Sequence, residues 1–265
     1  MSASDKDWSP ETYARFRGLR LRPALDLLAQ VGDLPEGEVV DLGCGDGAVA
    51  GALAVRFPGR VLRGVDSSQA MLAQAILAQA RGLGIYASLA AVDIAGWRPD
   101  TPPALIYSNA ALQWLGDHAN LMPRLAGYLA PGGVLAVQMP RQFKAASHRF
   151  LRDIAGSMFP DRFDFSKETS PCAKAEDYHA LLSPLGAVEA WETEYIQRLE
   201  PGAAMHPVRA FTESTAMRPI VEKLSQTERA SFCAAYEASL SAAYPLQKDG
   251  AVLFPFKRVF FTLKV

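Results

Sequence analysis

Between Val39 and about Pro140, short apolar and β-branched runs alternate with longer segments whose apolar positions recur at helical spacing. That alternation predicts βαβ units and a parallel sheet. The predicted strands are VVDL (39–42), VLRGV (61–65), YASLAAV (86–92), ALIYS (104–108) and GVLAVQM (133–139). Met71, Leu72, Ala75 and Ile76 mark one intervening helix, and Leu121, Leu125, Tyr128 and Leu129 mark another, which Pro131-Gly132-Gly133 stops. Ahead of the first strand, Ser9 is an N-cap with Pro10 at the first helical position, opening a helix towards Val31. Its Arg15, Arg17, Arg20 and Arg22 read as a solvated face.

Beyond Pro140 the pattern changes to helices separated by Pro-rich joints. A helix near 144–158 places Phe150, Leu151, Ile154 and Met158 on one face. Ser225 and Glu228 form a capping box before a helix carrying Phe232, Tyr236 and Leu240. Two β-rich segments, 188–199 and 252–265, are expected to pair antiparallel at the end of the sheet, with Pro255 on a bulge or near an edge. The expected fold is α/β: a Rossmann-like, seven-stranded, mostly parallel sheet with helices on both faces and a helical cap. No repeat or linker interrupts the chain, so residues 1–265 read as one domain. Its parts are an N-terminal helical lid (1–36), a binding core (37–140), a helical cap (141–185 and 200–250) and antiparallel edge strands (186–199 and 251–265).

Composition narrows the function classes. With 49% hydrophobic and 21% charged residues the 265-residue chain can bury a sizeable core. A net charge of -1 argues against nucleic acid or an anionic membrane as a bulk-charge partner. Cys44, Cys172 and Cys233 are widely spaced, which suggests neither a disulfide framework nor a Cys-x-x-Cys site, and the four histidines show no metal-ligand spacing. The acidic start and the lack of an apolar run long enough for a membrane span lead to the expectation of a cytoplasmic protein.

The densest motif is Asp41-Leu42-Gly43-Cys44-Gly45-Asp46-Gly47, after the first strand and before a helix. Glycines there let the backbone turn sharply and approach a ligand closely. Asp66 ends the second strand, where a carboxylate can accept from both hydroxyls of a ribose or simply cap Ser67 and Ser68. Asp93-Ile94 follows the third strand and Ser108-Asn109-Ala110 closes the fourth, so all four sites lie at carboxyl ends of strands, where open α/β sheets bind ligands. Cys44 has no histidine beside it and is not read as a nucleophile.

Here the sequence resembles the class I S-adenosylmethionine-dependent methyltransferases. SNAALQWLGDH (108–118), LAPGGVLAVQMP (129–140), WSPETYARF (8–16), MRP (217–219) and AAYPLQKDGAVLFPF (242–256) extend the resemblance to the trans-aconitate methyltransferases. The chain departs from that family's patterns at Pro140-Arg141-Gln142, at 214–219 and at Phe254-Pro255-Phe256-Lys257-Arg258, segments expected to build the acceptor pocket.

The resemblance implies a methyl transfer from S-adenosylmethionine to a carboxylate of a small anionic metabolite such as trans-aconitate, giving a monomethyl ester and S-adenosylhomocysteine. It implies that Asp41, Gly43 and Gly45 shape the methionine end, Asp66 holds the ribose, Ser67 and Met71 flank the adenine, and Asp93 with Ile94 addresses its amino edge. Asn109 and Ala110 would line the sulfonium side. Met71 reads equally as a core residue. Trp8, Tyr13 and Trp114 form either an aromatic lid or ordinary packing, with Tyr13 assigned to the cofactor and Trp114 to the substrate. An ionised acid needs no general base, so catalysis is by positioning, without metal. Arg218, Arg141, Lys144 and His148 are the expected acceptor ligands, because a buried carboxylate needs cationic partners. The chain is expected to act as a monomer or weak homodimer, without nucleic acid or membrane. A different acceptor atom, or cofactor binding without catalysis, are the alternatives.

Overall fold

A computed structural model describes residues 17–78, 85–202, 205–213 and 215–265. Seven strands form one sheet: β1 (Val39–Leu42), β2 (Leu62–Asp66), β3 (Ser88–Ala91), β4 (Leu105–Asn109), β5 (Val134–Pro140), β6 (Ala187–Leu199) and β7 (Val252–Lys264). Their order is β3-β2-β1-β4-β5-β7-β6. β1 to β5 pair in parallel, and β7 runs antiparallel to β5 from Val134↔Lys264 to Pro140↔Arg258. The order reverses between β1 and β4, which opens a crevice at the carboxyl ends of those strands.

The helices are α1 (Arg17–Ala29), α2 (Ala50–Arg56), α3 (Gln69–Ala78), α4 (His118–Ala126), α5 (Ala146–Met158), α6 (Ala175–Leu182), α7 (Pro207–Glu213), α8 (Arg218–Val221) and α9 (Gln226–Ala243). The chain divides into two compact units, the first running to Pro140 and adding Pro171–Thr193 and Arg258–Val265, the second comprising Arg141–Ser170 and Glu194–Lys257. Among the described residues no helix is long and apolar enough to cross a membrane.

In the first unit, central strands buried on both faces explain the near-continuous apolar runs. Val40, Leu42, Ile106, Val137 and Val259 pack with Leu121, Leu125, Tyr178 and Leu182 on one face. Tyr107, alternating to the other face, donates to the carbonyl of Ala24 in α1 at 2.5 Å. Ser9 and Pro10 lie outside the described residues, as do Trp8, Tyr13 and Arg15. Ile76, expected in the apolar stripe of α3, is exposed, whereas Met71, Leu72 and Ala75 are buried.

In the second unit, α5 buries Ser147, Leu151 and Ala155, while Met158 is exposed. The buried face is turned from the expected one because Tyr236 and Tyr244 draw Ser147 inwards: Tyr236 donates to its carbonyl at 3.0 Å and its N–H donates to the Tyr244 hydroxyl at 3.1 Å. The expected capping box forms, with Ser225 and Glu228 exchanging hydrogen bonds, and Phe232, Tyr236 and Leu240 are buried as expected. β6 takes the edge of the sheet and β7 lies inside it. Pro255 is tolerated because the β5 ladder ends at Arg258. Past that point the buried Gln142 amide substitutes for a strand, donating to the Pro255 carbonyl at 3.0 Å and accepting from the Lys257 N–H at 3.1 Å.

Candidate functional site

The glycine loop leaves β1 with Gly43, Gly45 and Gly47 all at positive φ, 84°, 55° and 77°. Only glycine takes this conformation without cost, and it cannot belong to a right-handed helix. α2 therefore starts only at Ala50, and the loop is a run of turns. A Cβ on Gly43 would sit 2.2 Å from Ala111 Cβ and 3.7 Å from Ile94 Cδ1; one on Gly45 would sit 3.2 Å from Met71 Cε. The loop thus presses against the ends of β3, β4 and α3. It brings together Gly43, Gly45, Met71 and Ile94 of the expected residues.

Asp66 joins the same cluster. Its Oδ2 accepts from the Gly45 N–H and its Oδ1 from the Ser68 N–H, both at 2.8 Å. The capping role is real. Ser67 is exposed, as is Asp93, whose Oδ1 accepts from the Ala95 N–H at 2.9 Å.

Asp41 is buried, and its Oδ2 accepts from Tyr86 Oη at 2.5 Å. Burial pushes its carboxyl up to about 7; the tyrosine opposes the rise, and the neighbouring Asp66 and Asp46 add to it. Sequence reasoning missed Tyr86. A signal existed in Gly64, a glycine within a strand, where backbone or ring must approach closely: a Cβ there would lie 3.1 Å from the Tyr86 ring and 3.0 Å from Cys44 Sγ. Burial and Asp41 raise the Cys44 thiol far above its ordinary range, so it is not a thiolate.

At the carboxyl end of β4, Ala110 has φ 55°, a strained conformation for a residue with a Cβ. It is held there by its N–H donating to the Gln138 carbonyl at 2.9 Å and its own carbonyl accepting from Gln113 Nε2 at 2.8 Å. The buried atoms Asn109 Oδ1, Gln113 Oε1 and Gln138 Nε2 have no hydrogen-bond partner among the described residues. Trp114, one helical turn on, is 53% exposed. His118 is a structural tie, its ring nitrogens engaging Tyr178 Oη at 2.6 Å and the Leu112 carbonyl at 2.9 Å.

The expected acceptor ligands other than Trp114 all lie in the second unit. Arg141 is half-buried, with its N–H on the Lys257 carbonyl at 2.9 Å, and Lys144 is exposed. His148, half-buried, is pushed down to about 4 by burial and by Arg152, so it is neutral at pH 7. Arg218 opens α8 and pairs with Glu222 at 2.8 Å.

Residues 13–170 match a family described as a methyltransferase domain. Two curated proteins, each a trans-aconitate 2-methyltransferase, are 41% identical to the chain: that of Paracidovorax citrulli over 259 residues and that of Methylobacterium nodulans over 257, each match covering 96% of both chains. Among solved structures, a putative methyltransferase from Bacillus halodurans aligns with a TM-score of 0.55 at 16% identity, covering 93% of this chain and 99% of its own. Phosphoethanolamine N-methyltransferase 2 of Haemonchus contortus aligns with a TM-score of 0.52 at 18% identity, covering 92% and 52%. At such identities the structures establish the fold alone.

Proposed function

Since the chain belongs to the trans-aconitate 2-methyltransferase family, we propose that it transfers the methyl group of S-adenosylmethionine to one carboxylate of trans-aconitate, releasing the monomethyl ester and S-adenosylhomocysteine. The observation that carries this reading is 41% identity sustained over 96% of both chains.

The residues suit the donor. Asp66 stands at the carboxyl end of β2, where a carboxylate accepts from ribose hydroxyls. Ser67 and Met71 flank the adenine, and Asp93 with Ile94 meets its amino edge. Asp41, Gly43 and Gly45 shape the methionine end. Asn109 Oδ1 is a buried acceptor without a partner among the described residues, which a cationic ligand would satisfy, and Ala110 stands beside it. The donor supplies a sulfonium-activated methyl group.

A carboxylic acid of pKa about 4 is ionised at neutral pH, so the acceptor oxygen attacks without a general base. The protein's part is alignment and exclusion of water. Arg218, Arg141 and Lys144 bring the positive charge, His148 acts as a neutral hydrogen-bonding group and Trp114 as apolar cover. We place the reaction in the cytoplasm, on a free metabolite, with the chain a monomer or weak homodimer.

Mass spectrometry of reactions containing S-adenosylmethionine and a panel of small di- and tricarboxylates tests this. Trans-aconitate is expected to gain one methylene in mass. Cofactor binding by calorimetry with no acid modified would overturn it.

A further inference from the structure

We infer that Arg258, clamped by Gln138, binds a carboxylate of the acceptor and thereby selects for polyanionic acids. The inference deepens the carboxyl-methylation reading and rests on it. Arg258 lies in β7 opposite Pro140, at the point where the β5–β7 ladder ends, and is only 3% exposed. Its Nη1 donates to Gln138 Oε1 at 3.2 Å. Because that bond occupies the amide oxygen, the orientation of the Gln138 amide is set, and its Nε2 is left as a buried donor without a partner among the described residues. Gln138 itself is fully buried.

The register supplies the second half of the argument. Gln138 is the partner of Asn109 on the neighbouring parallel strand, so their side chains share one face, and Gln138 shares it with Arg258 across the antiparallel pair. Side by side at the carboxyl ends of β4 and β5, where the antiparallel β7 passes beside them, stand an unsatisfied oxygen, Asn109 Oδ1, then an unsatisfied N–H, Gln138 Nε2, then a guanidinium. Buried polar atoms are normally satisfied. An orphan acceptor calls for a cation or donor, and an orphan donor beside a guanidinium calls for an anion. That sequence of polarity matches a sulfonium beside a carboxylate, the two partners of the proposed transfer. A guanidinium can take a carboxylate with two parallel bonds, whereas the Gln138 amide adds a neutral donor that lysine-based sites lack.

Steady-state kinetics of Arg258→Met and Arg258→Lys, with a triacid and an analogue lacking one carboxylate, tests the assignment, with calorimetric S-adenosylmethionine binding in parallel. Arg258→Met is expected to raise KM for the triacid roughly 10- to 100-fold and to erase the preference for the triacid over the analogue, leaving cofactor affinity unchanged. Arg258→Lys keeps the charge and is expected to fold while losing part of the preference. An unchanged preference in either folded variant, or loss of cofactor binding in step with acid binding, overturns the inference. Wild-type protein that methylates no acid refutes the carboxyl reading itself, a result separable from both.

Discussion

The glycine loop and the basic segment of the second unit both gather charged groups, but they hold them by different means. At the loop, the Asp66 carboxylate is gripped by main chain, through the N–H groups of Gly45 and Ser68, and Gly43 leaves no room for a side chain beside Ala111. In the second unit Arg218 is paired with Glu222 and Arg149 with Asp153 at 3.8 Å, while Arg152 lies over the Phe143 ring at 3.6 Å and donates to the Phe143 carbonyl at 2.7 Å. Main-chain grips tie function to fold. Half-exposed ion pairs contribute little and can be exchanged without loss of the fold.

The sharpest way to break the contrast is Gly43→Ala. Its Cβ would clash with Ala111 in a left-handed backbone, so thermal unfolding is expected to show a loss of about 2–4 kcal/mol, with cofactor binding lost as well. A stable variant that binds normally would show the loop to be less confined. Asp66→Ala comes next: two N–H groups lose their acceptor, costing about 2 kcal/mol in denaturant unfolding, together with weakened cofactor binding.

One buried group in each unit is set oppositely with respect to pH. Asp41 in the first unit has its carboxyl raised from 3.8 to about 7, so its contribution to stability is full below pH 3.8 and declines as pH rises to about 7. His148 in the second unit is lowered from 6.5 to about 4, so its contribution is full above pH 6.5 and is lost as pH falls through about 4. Each group acting alone gives a slope of about 1.4 kcal/mol per pH unit. Removing the histidine with His148→Gln should remove the second unit's slope between pH 4.5 and 6.5, read by hydrogen exchange resolved by segment, leaving the loss at lower pH that comes with protonation of Glu228 and leaving the first unit's slope in place. Persistence of the second unit's slope would assign it to another group.

The smallest structural effect is expected from Arg218→Met, less than about 1 kcal/mol, because its partner Glu222 is half-exposed. If Arg218 binds the acceptor, KM for the acid rises roughly tenfold without a change in cofactor affinity. An unmoved KM removes it from the site.

Much of the first unit was legible from the chain. The five parallel strands fall within two residues of the predicted runs at each end, and the glycine loop, Asp66, Asp93 and Asn109 all lie at or just past carboxyl ends of strands. These are local signals of period two, of helical spacing and of turn residues. Tyr86 and Gln138 were not found, and Arg258 entered only as part of a segment expected to build the acceptor pocket, without a role of its own. Each reads alone as an ordinary strand residue, and its meaning comes from a partner 45 or 120 positions away.

By itself, then, the sequence determined the α/β alternation, the loop with its three left-handed glycines, and the capped helix beginning after Ser225, because each follows from steric and hydrogen-bonding preferences within a few residues. Tertiary structure alone decided that β7 inserts beside β5, that α5 turns Ser147 inwards and that Arg258 meets Gln138. Strand order and helix rotation are settled by burial and polar satisfaction among segments far apart in the chain, and no local pattern encodes which of them will meet.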